Sequence, residues 1–255
     1  MPVELRGTRS AILISGVVIP IVGGTMKTIL RSAAVVVLGL LLLAPSAQAI
    51  VFGQLDTFQD GTLMGWETGQ FAPPVTNIST GGPAGAGDRY IRLTADGIGA
   101  GGRLVGYNFT TWTGNYIAAG VNAISISLNN FSAVDLAIRF AFQSEIAQGG
   151  PGYLSQAMLL PANSGWMNFS ISLAPGSLTA VNSPTAYNTF FQNVAWTRII
   201  HAAGTTSLNG DPVTGQLGID NIRAVPEPST TALAAGGLVA FAAGVIRRKR
   251  RSAKP

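Results

Sequence analysis

Aromatic side chains in turn-rich stretches are the first chemistry this chain offers. Trp112 and Tyr116 stand in TTWTGNY, and Tyr153 stands in GGPGYLS. A flat ring held in a loop can stack on the C–H face of a pyranose while neighbouring amides and carboxylates take its hydroxyls. These three rings are therefore candidates for glycan binding, with Arg103 or Asn115 as polar partners. The competing reading packs each ring over a sheet edge. Trp66, Trp166 and Trp196 lie at or within strand-like runs and read as core.

Acid–base chemistry has a thinner basis. A glycosidase needs two carboxylates about 5 to 10 Å apart with their pKa values pushed apart. Asp135 and Glu145 are the one pair near a single strand, and a strand-start polar residue plus a solvated loop charge explains them equally well. The sole histidine, His201, ends an apolar strand with no nucleophile beside it, and runs such as GWETG and GPAGAG lack the Lys or helix context of a phosphate loop. With no cysteine there is no disulfide framework, thiolate metal site or cysteine nucleophile. The expectation is a protein without catalytic residues.

The net charge of +5 suggests a nucleic-acid binder until the charges are located. Residues 50–224 hold six arginines and no lysine against nine acidic residues, so the body of the chain is mildly acidic and has no basic stripe for a phosphate backbone. The basic residues cluster at the two ends.

Near the start, residues 26–49 read MKTILRSAAVVVLGLLLLAPSAQA: Lys27 and Arg31, an apolar stretch, then Ala47-Gln48-Ala49. This is the three-part pattern of a secretory signal peptide, with the cut expected after Ala49 by signal peptidase once the export machinery engages it; a membrane anchor is the alternative. Residues 1–25 do not suit the front of such a segment, so Met26 reads as the true start, an extended n-region being the other reading.

At the far end, Thr231–Ile246 is 16 residues without a charge. As a helix it measures about 24 Å, close to a hydrocarbon core once the residues from Ser229 onward are added, so 229–246 is expected to cross the inner membrane. Arg247, Arg248, Lys249, Arg250 and Arg251 then form a basic stop that stays in the cytoplasm and leaves the main domain outside, with 252–255 as a short tail. Just before the span, Pro226 and Pro228 hold the backbone extended around Glu227.

Val225-Pro226-Glu227-Pro228-Ser229, an Ala/Gly-rich span and the terminal basic cluster together resemble the PEP-CTERM sorting signal of Gram-negative bacteria, over residues 225–251. The resemblance implies an exosortase partner, processing near Pro226-Glu227-Pro228, and a setting in the exopolysaccharide or biofilm matrix. The final location would then be the cell surface or the extracellular matrix.

Between the two ends, residues 50–224 alternate apolar and polar residues in short runs bounded by Gly, Pro and Asn. In NAISISLNN, Ile124, Ile126 and Leu128 share one face; in DLAIRFAF, Leu136, Ile138, Phe140 and Phe142 do. NFSISLAP, RYIRLTA, VAWTRIIHA and QLGIDNIRAV read as further strands, the last with a bulge near Asp220. No long 3.6-residue period appears, and the pattern predicts one all-β domain, an antiparallel sandwich.

DTFQDGTLMGW, GDRYIRLTADG, SGWMNFSISL and GQLGIDNIRAV resemble the opening, second, late and closing strands of galactose-binding-like jelly rolls, the fold shared by many carbohydrate-binding modules. That resemblance implies a structural calcium near the opening and closing strands, with Gln59, Asp60, Asp88 and Asp220 at the ligand positions. Gln59 stands where the motif usually has Glu, which removes a charge, and Asp60 and Asp88 also suit plain turn roles. The functional expectation is an exported glycan-binding sandwich. Its alternatives are a matrix structural or adhesive protein without a glycan site, and a polysaccharide hydrolase.

Overall fold

A computed structural model of the chain describes residues 49–225 together with the backbone of two upstream strands, β1 (Ala11–Ile14) and β2 (Val17–Pro20). Those two pair antiparallel, Ala11 opposite Pro20 and Ile14 opposite Val17. The predicted signal peptide apart from Ala49, the membrane span, the basic stop, and Pro226, Glu227, Pro228 and Ser229 lie outside the described residues. Among the described residues no helix is long and apolar enough to cross a membrane.

Residues 49–225 form the expected sandwich of two antiparallel sheets. The first sheet runs in the order β12 (Thr179–Val181), β9 (Gly152–Leu154), β8 (Leu136–Gln143), β13 (Trp196–His201) and β6 (Val105–Asn108), with β10 (Met158–Leu160) also paired to β8. The second runs β11 (Gly165–Ser172), β7 (Ala123–Asn130), β14 (Thr214–Val225), β5 (Tyr90–Asp96) and β4 (Thr76–Ile78), and the opening strand β3 (Leu55–Asp56) pairs with β14. One short helix, α1 (Tyr187–Phe190), packs its Phe190 inward.

Period-two patterning decides which side chains meet between the sheets. Ile124, Ile126 and Leu128 of β7, Ile91 and Leu93 of β5, and Leu217 and Ile219 of β14 face Ile138, Phe140 and Phe142 of β8 and Ile199 of β13. Each such side chain contributes about 1.5–3 kcal/mol by leaving water, and this core between the sheets holds the fold without disulfides. The bulge expected near Asp220 is present: the β14–β7 register shifts between Asp220 and Arg223, and Asn221 takes a left-handed φ of 52° there. An extra residue at that point rotates the end of β14, which lets β3 pair with Ile222 and Arg223.

The outer face of the first sheet is the one that carries chemistry. On β6, Val105 and Tyr107 face outward while Gly106 and Asn108 face the core; on β13, Trp196, Arg198 and Ile200 face outward while Thr197 and Ile199 face inward. Part of that face is covered by a second apolar cluster in which Leu208 of the 202–211 loop meets Ala141, Leu154 and Ile200. What the loop leaves uncovered is a cleft.

Candidate functional site

Trp112 and Tyr116 are not exposed platforms: both are fully buried. The cause is Asn108. Its carboxamide oxygen accepts the backbone N–H of Thr110 (3.0 Å), Thr111 (2.9 Å) and Trp112 (3.1 Å), winding residues 109–113 into a turn that drives the indole inward. Inside, the Trp112 indole N–H donates to Asp56 Oδ2 at 2.7 Å, and the Trp66 indole N–H donates to the same oxygen at 2.8 Å. Burial pushes the Asp56 carboxyl up to about 6, while the two indole donors pull it back down. The Tyr116 hydroxyl donates to the Trp112 carbonyl at 3.1 Å, and burial raises its pKa. Tyr153 is also buried, its hydroxyl donating to the Thr185 carbonyl at 2.9 Å within a cluster of Tyr187, Phe190 and Phe191. All three expected glycan rings are therefore core. Asn115 only caps a turn, its side chain accepting the Ala118 N–H at 2.8 Å.

The carboxylate pair also comes apart. Asp135 and Glu145 flank the eight residues of β8, which at about 3.3 Å per residue places them roughly 30 Å from each other. Asp135 accepts the Ala162 N–H at 2.8 Å, a turn role. His201 accepts the Ala137 N–H on Nδ1 at 3.1 Å, and burial lowers its pKa against an opposing pull from Asp211.

An aromatic row, two of whose rings the sequence did not single out, runs along the open part of the first sheet, with Trp196 itself 7% exposed. Phe109, 39% exposed, stacks on Tyr107 at 5.8 Å, and Tyr107 meets Trp196 edge-on at 5.6 Å. The cleft beside this row encloses about 70 Å³ and is lined by Arg103, Tyr107, Gln148, Trp196, Arg198 and Asn209, with Gly69, Ala72 and Val105 completing its walls. Arg103 is thus a cleft residue, although its expected ring partners are not. The Tyr107 hydroxyl donates to the Thr68 carbonyl at 2.7 Å, which fixes the ring and ties the 67–72 segment to the cleft rim. The Arg198 guanidinium lies 4.3 Å over the Trp196 ring and donates to Gln143 Oε1 and, at 3.4 Å, to Asn209 Oδ1. Burial alone pulls its pKa down to about 10. The signal in the sequence was alternation: VGYNF and WTRI each place aromatic or charged residues on the polar phase of a strand.

Of the four expected calcium ligands, Gln59 and Asp88 are in contact, Asp220 is joined to Asp88 by charge, and Asp60 is engaged in its own turn. Gln59 Nε2 donates to Asp88 Oδ1 at 2.6 Å, and Asp88 acts on buried Asp220, whose pKa burial and that neighbour raise to about 7. Asp60 is exposed, and its Oδ1 is taken by the N–H and hydroxyl of Thr62, both at 2.9 Å, which lowers its pKa. Among the described residues no group of three or more His, Cys, Asp or Glu is placed to hold a metal. The donor set does not fit calcium as it stands. Gln59 Nε2 is surrounded by the Thr57 carbonyl (3.2 Å), Asp88 Oδ1 (2.6 Å) and the Arg89 carbonyl (3.2 Å), so an amide nitrogen fills the centre of the oxygen cage.

Fold and tail together define an all-β domain followed by a sorting signal. Residues 224–251 match the PEP-CTERM protein-sorting motif, which marks the chain for export through a membrane-anchored sorting intermediate with an exosortase as processing partner. No curated protein is significantly similar to the chain. Among solved structures, the family 11 carbohydrate-binding module of Clostridium thermocellum in complex with a β-1,3-1,4-mixed-linked tetrasaccharide aligns at 15% identity over 69% of this chain and 96% of its own, with a TM-score of 0.47. An exo-β-agarase aligns at 11% identity over 69% of this chain and 26% of its own (TM-score 0.49), and the family 30 module of a Clostridium thermocellum cellulosomal cellulase at 12% over 70% and 94% (TM-score 0.38).

Proposed function

We propose that this chain is a non-catalytic glycan-binding sandwich that works outside the cell, at the surface or in the polysaccharide matrix, and binds through the cleft on the outer face of the first sheet. The observation that carries this reading is the row Phe109–Tyr107–Trp196, beside which Arg103, Gln148 and Asn209 present hydrogen-bonding groups. A sugar ring needs such a flat apolar face with polar groups at its margin. The volume is too small for a whole pyranose, so the ring lies across the mouth on Tyr107 and Phe109 and sends one substituent inward. Phe109→Ala is the direct test, since an exposed ring can be removed with little effect on folding. Affinity electrophoresis in gels containing polysaccharide should show retardation of the wild-type chain and at least a tenfold weaker effect for the variant. Equal retardation of both would place the binding face elsewhere, and an unretarded wild type across a broad panel would return the chain to the structural or adhesive reading.

At the corner formed by Gln59, Asp88 and Asp220, we infer that the Gln59 amide does the work of a cation, bridging three oxygens without a metal. Wild-type thermal stability should then be indifferent to millimolar calcium or a chelator. Gln59→Glu, which restores a third carboxylate, should gain a calcium-dependent rise in melting temperature. A wild type that loses stability on chelation would show that metal holds the corner.

A further inference from the structure

The charge inside the cleft is at odds with the charge of the domain around it. Residues 50–224 have nine acidic residues and six arginines, yet the cleft lining includes two of those arginines, Arg103 and Arg198, and no carboxylate. Two acids flank the cleft: Glu67, exposed to water, whose backbone N–H donates to the Tyr107 carbonyl at 2.9 Å, and Asp211, which precedes the Pro212 paired with Arg103 and accepts the Ala203 N–H at 2.8 Å.

Arg198 is the more telling of the two. It is 97% removed from solvent, with 3% exposure, although its guanidinium borders an open cleft. Its hydrogen-bond partners are the neutral amides Gln143 and Asn209, and its Nε–H has no partner. Buried arginines ordinarily end on carboxylates, because a desolvated guanidinium without a counter-charge is costly. Arg139, the other buried arginine on this face, shows the alternative solution: its Nε donates to the Ala202 carbonyl at 2.9 Å and its Nη1 to the Ser155 carbonyl at 2.8 Å. Arg198 instead retains an unused donor. That Nε–H is itself buried, so what Arg198 offers the cleft is its charge: stacking on Trp196 and the Gln143 and Asn209 contacts hold the guanidinium plane fixed at the cleft wall with no counter-charge.

Resting on the glycan-binding reading above, we propose that the cleft is selective for acidic polysaccharide, with Arg198 and Arg103 receiving an anionic substituent, a uronate carboxylate or a sulfate ester, of a sugar whose ring lies over Tyr107 and Phe109. The enclosed volume of about 70 Å³ matches this division of labour: it has room for a group about the size of two waters, which suits a carboxylate and not a pyranose. The exposed Arg103 guanidinium can meet such an oxyanion with paired N–H donors, and the uncompensated charge of Arg198, shielded from water, adds to the attraction.

Matched polymers separate charge from sugar binding. The full-length chain in detergent is titrated calorimetrically with polygalacturonate and its methyl ester, which differ in the carboxylate alone, and with dextran sulfate and dextran, which test the sulfate. The expected result is at least tenfold tighter binding to one charged member of a pair, weakened as salt rises from 50 to 500 mM. Arg198→Gln and Arg103→Gln should each erase that preference, weakening the charged member at least fivefold more than its neutral counterpart. Arg103 is exposed, so its variant tests the proposal even if the Arg198 variant does not fold. Equal affinity within both pairs overturns the charge selectivity and leaves the glycan site standing. A preference that survives in Arg103→Gln and in a folded Arg198→Gln overturns the assignment of these residues. Absence of binding to all four polymers and to neutral β-glucans removes both readings.

Discussion

At the scale of single residues, Asp56 is where the fold stores a pH dependence. Two indole N–H groups converge on one of its oxygens in the interior, and burial raises its carboxyl from 3.8 to about 6. The folded chain therefore holds this proton more tightly than the unfolded chain does. Stability from the group is fully present below the unfolded value and is lost as pH rises through about 6; a shift of about two units corresponds to about 3 kcal/mol. Asp220, raised to about 7, acts in the same direction. For these two groups the melting temperature should be highest at about pH 4 and below and fall steadily from there to about pH 7. Asp56→Asn keeps an oxygen for both indoles without the charge, so it should stabilise the protein at pH 8 and leave it unchanged at pH 4. An identical pH profile for wild type and variant, followed by differential scanning calorimetry, would mean that Asp56 does not carry the effect.

At the scale of elements, strands were legible and loops were not. The alternation in NAISISLNN, DLAIRFAF and QLGIDNIRAV fixes inward and outward faces because one face of each strand must meet a core, and β7, β8 and β14 follow it. Even the bulge after Asp220 was readable, since GIDNIRA breaks the period. The turn at 109–113 was opaque for a physical reason. Whether an aromatic in a Thr/Gly-rich turn points out or in depends on distant partners: Asn108 folds the turn, and Asp56 in β3, 56 positions upstream of Trp112, receives the indole. Sequence alone ranks such a ring by its neighbours, and so Trp112 reads as a platform and Phe109 passes unnoticed. Trp196, which sits within a strand and reads as core, is indeed buried, but on the outer side of the first sheet, where it borders the cleft. Its pairing with β6 brings Tyr107 beside it, a juxtaposition created by strand order and invisible to spacing.

At the scale of the molecule, the sorting motif begins on the closing strand of the sandwich. Val225 is both the last residue of β14 and the first of Val225-Pro226-Glu227-Pro228-Ser229. The Asn122 N–H donates to its carbonyl at 3.2 Å, and Ala224 is tied on both sides to the opening segment, accepting from Gly53 at 3.2 Å and donating to Gln54 at 2.9 Å. Proline at 226 is a natural terminus for that ladder, since it has no N–H to continue it. Processing within Pro226-Glu227-Pro228 would therefore cost the sandwich no hydrogen bond of β14. Cutting a few residues earlier would be ruinous: Ile222 and Ala224 are fully buried, and β3 pairs only with Ile222 and Arg223. A chain comprising residues 50–225 should unfold in one cooperative transition at the melting temperature of the full-length protein in detergent. One comprising residues 50–219 should lack that transition and its near-ultraviolet circular dichroism, because β3 would lose its partner and the Asp56 cluster its anchor. If the shorter chain kept both signals, the closing strand would not be what joins the two ends of the domain.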